Sequence, residues 1–349
     1  MATNLAKPSN GALTKEVGEA NMISPTNGMY NTLCQSLNLS DKSFQMIQGV
    51  LPVQNLAQEL YNYFDGIPPK SVGVLYEGNP LNNLSGNYAT MLSKTEDTNT
   101  FLYKIAMSNY TNSNNWIGGN MGTNPIYTPS LEELKTLVDV KGSTADIHFD
   151  SSTSNDNIEN SWAQSNGSSG VGFWGKKSNS VSKSLNEKAS ASRITVDMHF
   201  HKYAFLPVRA GGWFFSGYFT DMYKNPDQFQ SKEDWNNLFG PSGTLQRVNN
   251  QALLVSGYTI EVKSWATYSQ SDYEEIQKST ETNVWPFYTS GSSSKATSSY
   301  KFNDDKSISV RITSEKGNLQ ILGMGVIPTD RAVTGGSDNH ILKAPSRLI

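Results

Sequence analysis

The sequence predicts an α+β protein that is mostly β, with a helical amino-terminal region followed by a large antiparallel sheet or sandwich. An apolar stripe at helical spacing lies in the first part of the chain, whereas apolar and polar residues alternate from about residue 141 onward. A period of 3.6 residues is typical of an amphipathic helix, and a period of two is typical of a strand with one buried face. The change of period therefore separates two regions of different structure.

We expect four regions along the chain: a flexible amino-terminal arm at 1–25, a mainly helical region at 26–140, an antiparallel β domain at 141–329 and a carboxy-terminal tail at 330–349. The arm is rich in Asn, Gly, Pro and Ser and lacks periodicity, which is typical of a loose terminus. The tail passes through consecutive glycines at 335–336 and is predicted to be loose as well.

Two helices are predicted from their periodicity and caps. The first carries an apolar stripe and is closed by Asp65-Gly66; the stripe is formed by Val53, Leu56, Ala57, Leu60, Tyr61 and Phe64. The second begins with the capping-box pair Ser130 and Glu133, and its buried side is formed by Leu131, Leu134, Leu137 and Val138. Ser40 is also interpreted as an N-cap, for an earlier segment that Pro52 ends or kinks.

The β domain is predicted from four alternating segments at 145–149, 194–200, 258–262 and 308–312. Residues 314–318 separate the last of these from another apolar run, which favours a hairpin with Gly317 at a positive φ. Two short helices, one from Ser231 to a stop at Gly240 and one starting near Ser271, are expected to interrupt the sheet.

Charge and length exclude two classes of protein. The 349 residues include 28 basic and 31 acidic side chains, for a net charge of -3, and this balance argues against a partner held through nucleic-acid phosphates. No apolar run approaches the roughly 18–20 residues of a membrane-spanning helix.

Cysteine usage and the amino terminus bear on the compartment. Cys34 is the single cysteine, so intrachain disulfides and cysteine-based zinc sites are excluded, and a small buried side chain is favoured over a catalytic thiol. Residues 1–22 contain no apolar core between Lys7 and Lys15, so we expect no classical signal peptide. The protein is therefore expected to be cytoplasmic as synthesised, with any release by another route.

The histidines suggest a site on the polar side of two predicted strands. Asp146, His148 and Asp150 share one face of the first strand, and residues i, i+2 and i+4 of the second, Asp197, His199 and His201, share a face too. If these strands pair, the two faces form one patch of imidazoles and carboxylates that suits Zn²⁺. The candidate metal ligands are His148, Asp197, His199 and His201; a pH-sensitive patch and ordinary solvent-facing side chains are the alternatives.

A glycine-rich stretch at 170–178 has the G-x-G-x-x-G spacing and nearly the phosphate-loop pattern. Lys177 occupies the position where Ser or Thr would bind Mg²⁺, and the flanking residues predict neither a buried strand nor a helix. A glycine-rich turn is therefore the favoured interpretation, and no cofactor is expected other than the zinc considered above.

Residues 176–192 form a long segment in which polar residues alternate with weakly apolar ones. A membrane-inserting β-hairpin needs this pattern, because it is soluble before insertion and afterwards shows one face to lipid and the other to a water-filled lumen. An extended loop or a solvated edge strand fits the same residues. Aromatic residues beside Gly, Pro, Ser or Asn are candidates for membrane or partner contact, with burial under loops as the alternative; they are Trp174, Trp213, Trp285 and Phe287.

These features favour a non-enzymatic interaction protein, because no nucleophile–base pair or paired acidic motif is present. The leading hypothesis is a membrane-active, pore-former-like β protein that is soluble before it assembles as a homo-oligomer. A self-assembling structural protein is the first alternative and a carbohydrate-binding protein the second. The expected partners are further copies of the chain and a membrane or glycan surface.

Overall fold

A computed structural model describes residues 22–53, 57–74, 76, 82–162, 172–175, 181–279, 283–288 and 296–334. Most of the predicted arm (1–21) and most of the predicted tail (335–349) lie outside the described residues. Helix α1 begins at Ile23, inside the last residues assigned to the arm. Within the described part of the chain, no helix is long and apolar enough to cross a membrane.

The described residues contain helices and one large sheet. The helices are α1 (Ile23–Ser36), α2 (Ala57–Asp65), α3 (Leu84–Ser93), α4 (Phe101–Thr111), α5 (Leu131–Lys141), α6 (Lys183–Ser190), α7 (Ser216–Lys224), α8 (Lys232–Phe239), α9 (Gln270–Ser279) and α10 (Thr329–Thr334). The strands are β1 (Phe44–Val53), β2 (Tyr127–Thr128), β3 (Ser143–Asp150), β4 (Ile194–Pro207), β5 (Arg209–Ala210), β6 (Arg247–Ser264), β7 (Asn283–Val284), β8 (Phe287–Tyr288), β9 (Ala296–Phe302) and β10 (Ile308–Pro328). The α+β class, with amino-terminal helices before an antiparallel sheet, is confirmed.

The large sheet has six antiparallel strands in the order β1-β10-β6-β4-β3, with β9 paired to β10. Strand β9 pairs with the first half of β10, and β1 pairs with its second half. Each of the four predicted alternating segments lies in one of the strands β3, β4, β6 and β10. Strand β1 joins the sheet although it falls within the region predicted to be mainly helical.

The buried parity of β4 and β6 changes near the middle of the sheet. In β4, Phe200 belongs to one core cluster and Ala204 to the other; in β6, Tyr258 belongs to the first cluster and Leu254 to the second, although the residues of each pair have the same parity. Gly257 and Gly317 have φ of 72° and 86° at this level, a conformation that glycine adopts at little cost. The positive φ predicted for Gly317 is confirmed, but the hairpin is wrong, because β10 continues through a register irregularity between Ser314 and Leu319.

This parity change divides the sheet into two halves. The half that contains the second part of β10 is covered on both faces, by the two core clusters. The other half, formed by β9 and by the adjoining ends of β10, β6, β4 and β3, buries one face in the first cluster. Its opposite face carries the polar residues of the alternating pattern, as strands with one buried face require.

Local sequence explains several of the helices. In α5 the Ser130 side chain accepts the N–H of Glu133 while the Glu133 carboxylate accepts the N–H of Ser130, so the predicted capping box is confirmed. The predicted helices at 231–240 and near 271 are α8 and α9. The helix predicted over 53–64 is α2, which is described from Ala57 to Asp65; Val53 belongs to β1, and residues 54–56 lie outside the described part. The N-cap interpretation of Ser40 is wrong, since the chain from Phe44 to Val53 is a strand held by pairing with β10.

Cys34 is expected to be unreactive in the folded protein. Its side chain is 6% exposed in α1, and burial raises the pKa of its thiol to about 12, so almost no thiolate exists at about pH 8. Titration with a chromogenic disulfide reagent should give no fast reaction in buffer and one thiol per chain in denaturant. Fast stoichiometric labelling of the native protein would contradict the burial of this side chain.

Candidate functional site

The candidate site is the exposed face of the half-covered part of the sheet, which we call the polar sheet face. Strand register sets its residues in rows: one row contains His148, Asp197, Glu261, Arg311 and Ser299, and the next contains Asp146, His199, Thr259, Thr313 and Thr297. A shallow hollow of about 290 Å³ lies over the β3 side of these rows. The face therefore carries charged groups on its β3 side and hydroxyl groups on its β9 side.

Two reciprocal histidine–aspartate pairs join β3 to β4. His148 Nδ1 lies 2.6 Å from Asp197 Oδ1, and His199 Nδ1 lies 2.6 Å from Asp146 Oδ1. Antiparallel pairing places His148 opposite Asp197 and Asp146 opposite His199, so both histidine–aspartate contacts follow directly from the register. All four side chains are at least 42% exposed, and each pair is therefore expected to contribute little to stability.

His201 lies beside these pairs but near the level where the sheet changes parity. Its ring centroid is 4.8 Å from that of His199 in an edge-on arrangement. Partial burial, together with the nearby His199 and Lys316, lowers the pKa of His201 below its ordinary value. A histidine whose folded pKa is lowered favours the unfolded chain once protonated, so the stability it contributes is present above about pH 6.5 and is lost on acidification.

The predicted metal ligands thus lie on one face of two adjacent strands. In each pair, however, Nδ1 already contacts a carboxylate, which leaves Nε2 as the nitrogen that could bind a metal. The described residues contain no group of three or more His, Cys, Asp or Glu side chains placed to hold a metal ion. A zinc site at His148, Asp197, His199 and His201 stays a prediction.

An exposed tryptophan ends the polar sheet face at the edge where α6 and α9 lie. Trp265 is 40% exposed. Two cations lie over its ring, Lys263 Nζ at 3.5 Å and Arg193 Cζ at 4.7 Å from the ring centroid. Its indole nitrogen donates to Thr195 Oγ1 at 3.1 Å. Trp265 was not among the residues predicted from the sequence, although its position two residues beyond Lys263 of an alternating strand was a signal.

Asp150 and Arg193 join the end of β3 to the start of β4. Arg193 Nε lies 3.1 and 3.0 Å from the two carboxylate oxygens of Asp150, and Nη2 donates to Oδ2 at 2.5 Å. The Asp150 side chain is 10% exposed. It also accepts the backbone N–H and the hydroxyl of Ser152. This carboxylate therefore organises the point at which residues 151–193 leave the sheet.

We expect Asp150→Asn to lower the midpoint of thermal unfolding at neutral pH. Hydrogen bonds from Arg193 and Ser152 hold the pKa of Asp150 well below its usual range, so its contribution is present above about pH 3.9 and is lost as the pH falls below that value. The difference between wild type and variant, followed by circular dichroism, should shrink at acid pH. Asp146→Asn, on the same strand but 83% exposed in its side chain, is the matched control, and an equal loss in both variants would contradict this role.

The four aromatic residues predicted to contact a membrane or partner are all completely buried. Trp174, Trp285 and Phe287 lie in the first core cluster and Trp213 in the second, each with 0% exposure. In this fold none of them lies at the surface, because their polar sequence neighbours cover them; contact with a membrane or partner stays a prediction. Trp213 donates its indole N–H to the Ile126 carbonyl at 2.9 Å, as a buried tryptophan requires.

Residues 181–192 correct one expectation, because they contain α6 instead of an alternating strand; residues 176–180 lie outside the described part. Leu185, Asn186 and Ala189 of α6 are buried, as is Val181 just before the helix; the apolar ones are Val181, Leu185 and Ala189. Their spacing of four residues satisfies a helix as well as a strand, which explains the error. The glycine-rich stretch is described only at 172–175, where Gly172 N–H donates to the Gly175 carbonyl across the buried Phe173 and Trp174. This short turn agrees with the favoured interpretation.

Two chain segments, which we call segment I (151–193) and segment II (265–307), lie against each other. The N–H of Trp285 in segment II donates to the Phe173 carbonyl in segment I at 2.9 Å. Lys188 of α6 pairs with Asp272 of α9 at 2.8 Å, and Glu275 of α9 accepts the N–H of Ser182 at 2.9 Å. Their described parts therefore form one connected layer beside the sheet.

No family model, curated protein or solved structure matches this chain.

Proposed function

We propose that the protein is a membrane-active, pore-forming β protein that is water-soluble before assembly, and that segments I and II are the parts that enter the bilayer. The observation that carries this proposal is the alignment of four strand ends. Asp150, Thr195, Lys263 and Ser309 occupy one row across β3, β4, β6 and β10. Segment I connects β3 to β4 and segment II connects β6 to β10, so both leave the sheet from this row.

Both segments lie between strands that already pair as antiparallel neighbours. Extending β3 and β4 along their present register would convert segment I into a long hairpin, and extending β6 and β10 would do the same for segment II. A strand rises about 3.3 Å per residue, and roughly 9–11 residues span the bilayer core. Each segment is long enough for two such arms and a turn.

The side chains of the two segments support the same rearrangement. They are rich in Ser, Thr and Asn, which suits a water-facing lumen. Three of the four predicted membrane-contacting aromatic residues, Trp174, Trp285 and Phe287, belong to these segments and are buried against the sheet. Release of the segments would transfer these rings from the core to a surface where lipid can cover them.

Strand β9 links this rearrangement to assembly. It belongs to segment II and covers the outer edge of β10 through seven residue pairs, from Ile308–Phe302 to Ser314–Ala296. A segment II hairpin requires β9 to leave that edge. The uncovered edge then offers unpaired backbone groups to a strand of another copy, and the edge strand β3 is the complementary candidate.

Dye release from liposomes tests the proposal. Wild-type protein should release a trapped dye, with rings or arcs on the liposomes in electron micrographs. Large particles without lipid, and no release, would favour a self-assembling structural protein. Intact liposomes across lipid compositions and pH values, with no particles, would overturn the proposal.

A further inference from the structure

We propose that a cleft on the far side of the first core, between α1 and the end of β10, binds a small organic anion. Two adjoining cavities of about 1040 and 340 Å³ form it, and they share Lys42, Trp162, Val326 and Pro328. These volumes match those of small-molecule sites. The cleft lies away from the polar sheet face, and the inference is independent of the pore-forming proposal.

Arg247 is the residue on which the inference depends. Its guanidinium lies over the Trp162 ring, with Cζ 4.7 Å from the centroid, while the Trp162 indole N–H donates to the Phe44 carbonyl at 3.1 Å. The indole is thereby fixed, and it holds the guanidinium plane at the cleft wall. An arginine stacked in this way keeps its planar set of donors available for a carboxylate or a phosphate.

Among the described residues, Arg247 has no counterion. None of the ion pairs formed by the described residues includes Arg247, Lys42 or Arg331, the three cations of the cleft. Asp41 and Asp330 also line the cleft, so the cationic groups exceed the acidic ones by one. Burial alone lowers the pKa of Arg247. A bound anion would offset that desolvation.

Two polar side chains of the cleft lining, Ser43 and Asn250, each have a buried oxygen without a hydrogen-bond partner among the described residues. Because solvent does not reach these two atoms, a ligand in the cleft does not contact them, and the ligand class follows from the cations. It is an organic phosphate or carboxylate, either free or as a lipid head group.

Calorimetric titration with glycerol 3-phosphate and with glycerate tests this site. Saturable binding is expected for at least one of the two, with none for glycerol, which lacks the anionic group. Arg247→Gln should weaken binding about tenfold or more, the range for one charge-assisted hydrogen bond pair. Lys42→Gln, at an exposed position, should weaken it too and keeps the test valid if the Arg247 variant folds poorly. Arg311→Gln, on the polar sheet face, is the matched control and should bind as wild type.

The source of the anion is distinguished by a second arm of the experiment. If the natural ligand is a lipid head group, vesicles containing phosphatidylglycerol should bind the protein and lose binding with Arg247→Gln, while phosphatidylcholine vesicles should not bind. If the natural ligand is a free metabolite, the soluble anions should bind, and Arg247→Gln should not change the binding of either kind of vesicle. The absence of saturable binding to soluble anions and vesicles alike, or equal affinities of wild type and Arg247→Gln, would overturn the inference.

Discussion

A disulfide between β9 and β10 is expected to abolish dye release, and reduction is expected to restore it. The double variant Thr297→Cys/Thr313→Cys places the two thiols at directly paired positions, where the native hydroxyl oxygens lie 3.3 Å apart. The bond would hold β9 on the edge of β10, and a segment II hairpin cannot form while β9 remains there. We therefore expect oxidised protein to lose nearly all of its release activity.

The double variant Thr259→Cys/Thr313→Cys is a matched control, because it shares the Thr313→Cys substitution with the Thr297→Cys/Thr313→Cys variant. Thr259 also pairs with Thr313, but it lies on β6, which stays beside β10 before and after the proposed rearrangement. Its disulfide should leave release unchanged. Cys34 should not compete for either bond, because it is buried and its thiol pKa is raised to about 12. Equal dye release from the oxidised and the reduced Thr297→Cys/Thr313→Cys variant would show that β9 does not move.

The parts of the fold that could be predicted are those in which local sequence and tertiary structure agree. The capping box at Ser130 and the alternation in β3, β4, β6 and β10 are local signals, and the sheet buries the faces that they indicate. The histidine patch followed from the same alternation, because residues of one parity share a face. Which strands pair was not predictable, since register depends on contacts between distant residues.

The errors arise where local signals were ambiguous or long-range contacts decided the outcome. Spacing by four residues in α6 fits two periods, and the segment after Ser40 becomes β1 because β10 offers it an edge. The Asp150–Arg193 pair joins residues 43 positions apart, and Trp265 meets Arg193 only because strands distant in sequence pair. Only the contact of Trp265 with Lys263, two residues away along the chain, had a local signal.

Trp285→Ala is expected to cause the largest loss of stability among single substitutions in segment II. The side chain is completely buried, with its ring centroid 5.6 Å from Phe149 on β3 and 6.4 Å from Phe173 of segment I. Its indole N–H donates to Thr26 Oγ1 at 3.3 Å. Truncation of a buried tryptophan to alanine costs roughly 3–5 kcal/mol, because it removes apolar contacts and leaves a cavity. Urea denaturation followed by circular dichroism measures this loss.

Trp265→Ala gives the matched comparison, since the same side chain is removed where it is 40% exposed. We expect a loss of about 1 kcal/mol there, from the cation–π contacts with Lys263 and Arg193. Losses of equal size would contradict the burial difference between the two tryptophans.

The same pair of variants separates a packing role for Trp285 from a role in holding the membrane segments. Trp285 connects segment II to segment I and to β3, so its loss should lower the barrier to their departure as well as the stability of the core. Under conditions in which all three proteins are folded to the same extent, Trp285→Ala is therefore expected to release dye faster than wild type. Trp265→Ala is expected to release dye at the wild-type rate. A destabilised variant with unchanged release would show that Trp285 stabilises the core without retaining the segments. Faster release that the Thr297→Cys/Thr313→Cys disulfide still blocks would instead order the two events, with segment contacts breaking before β9 leaves the sheet edge.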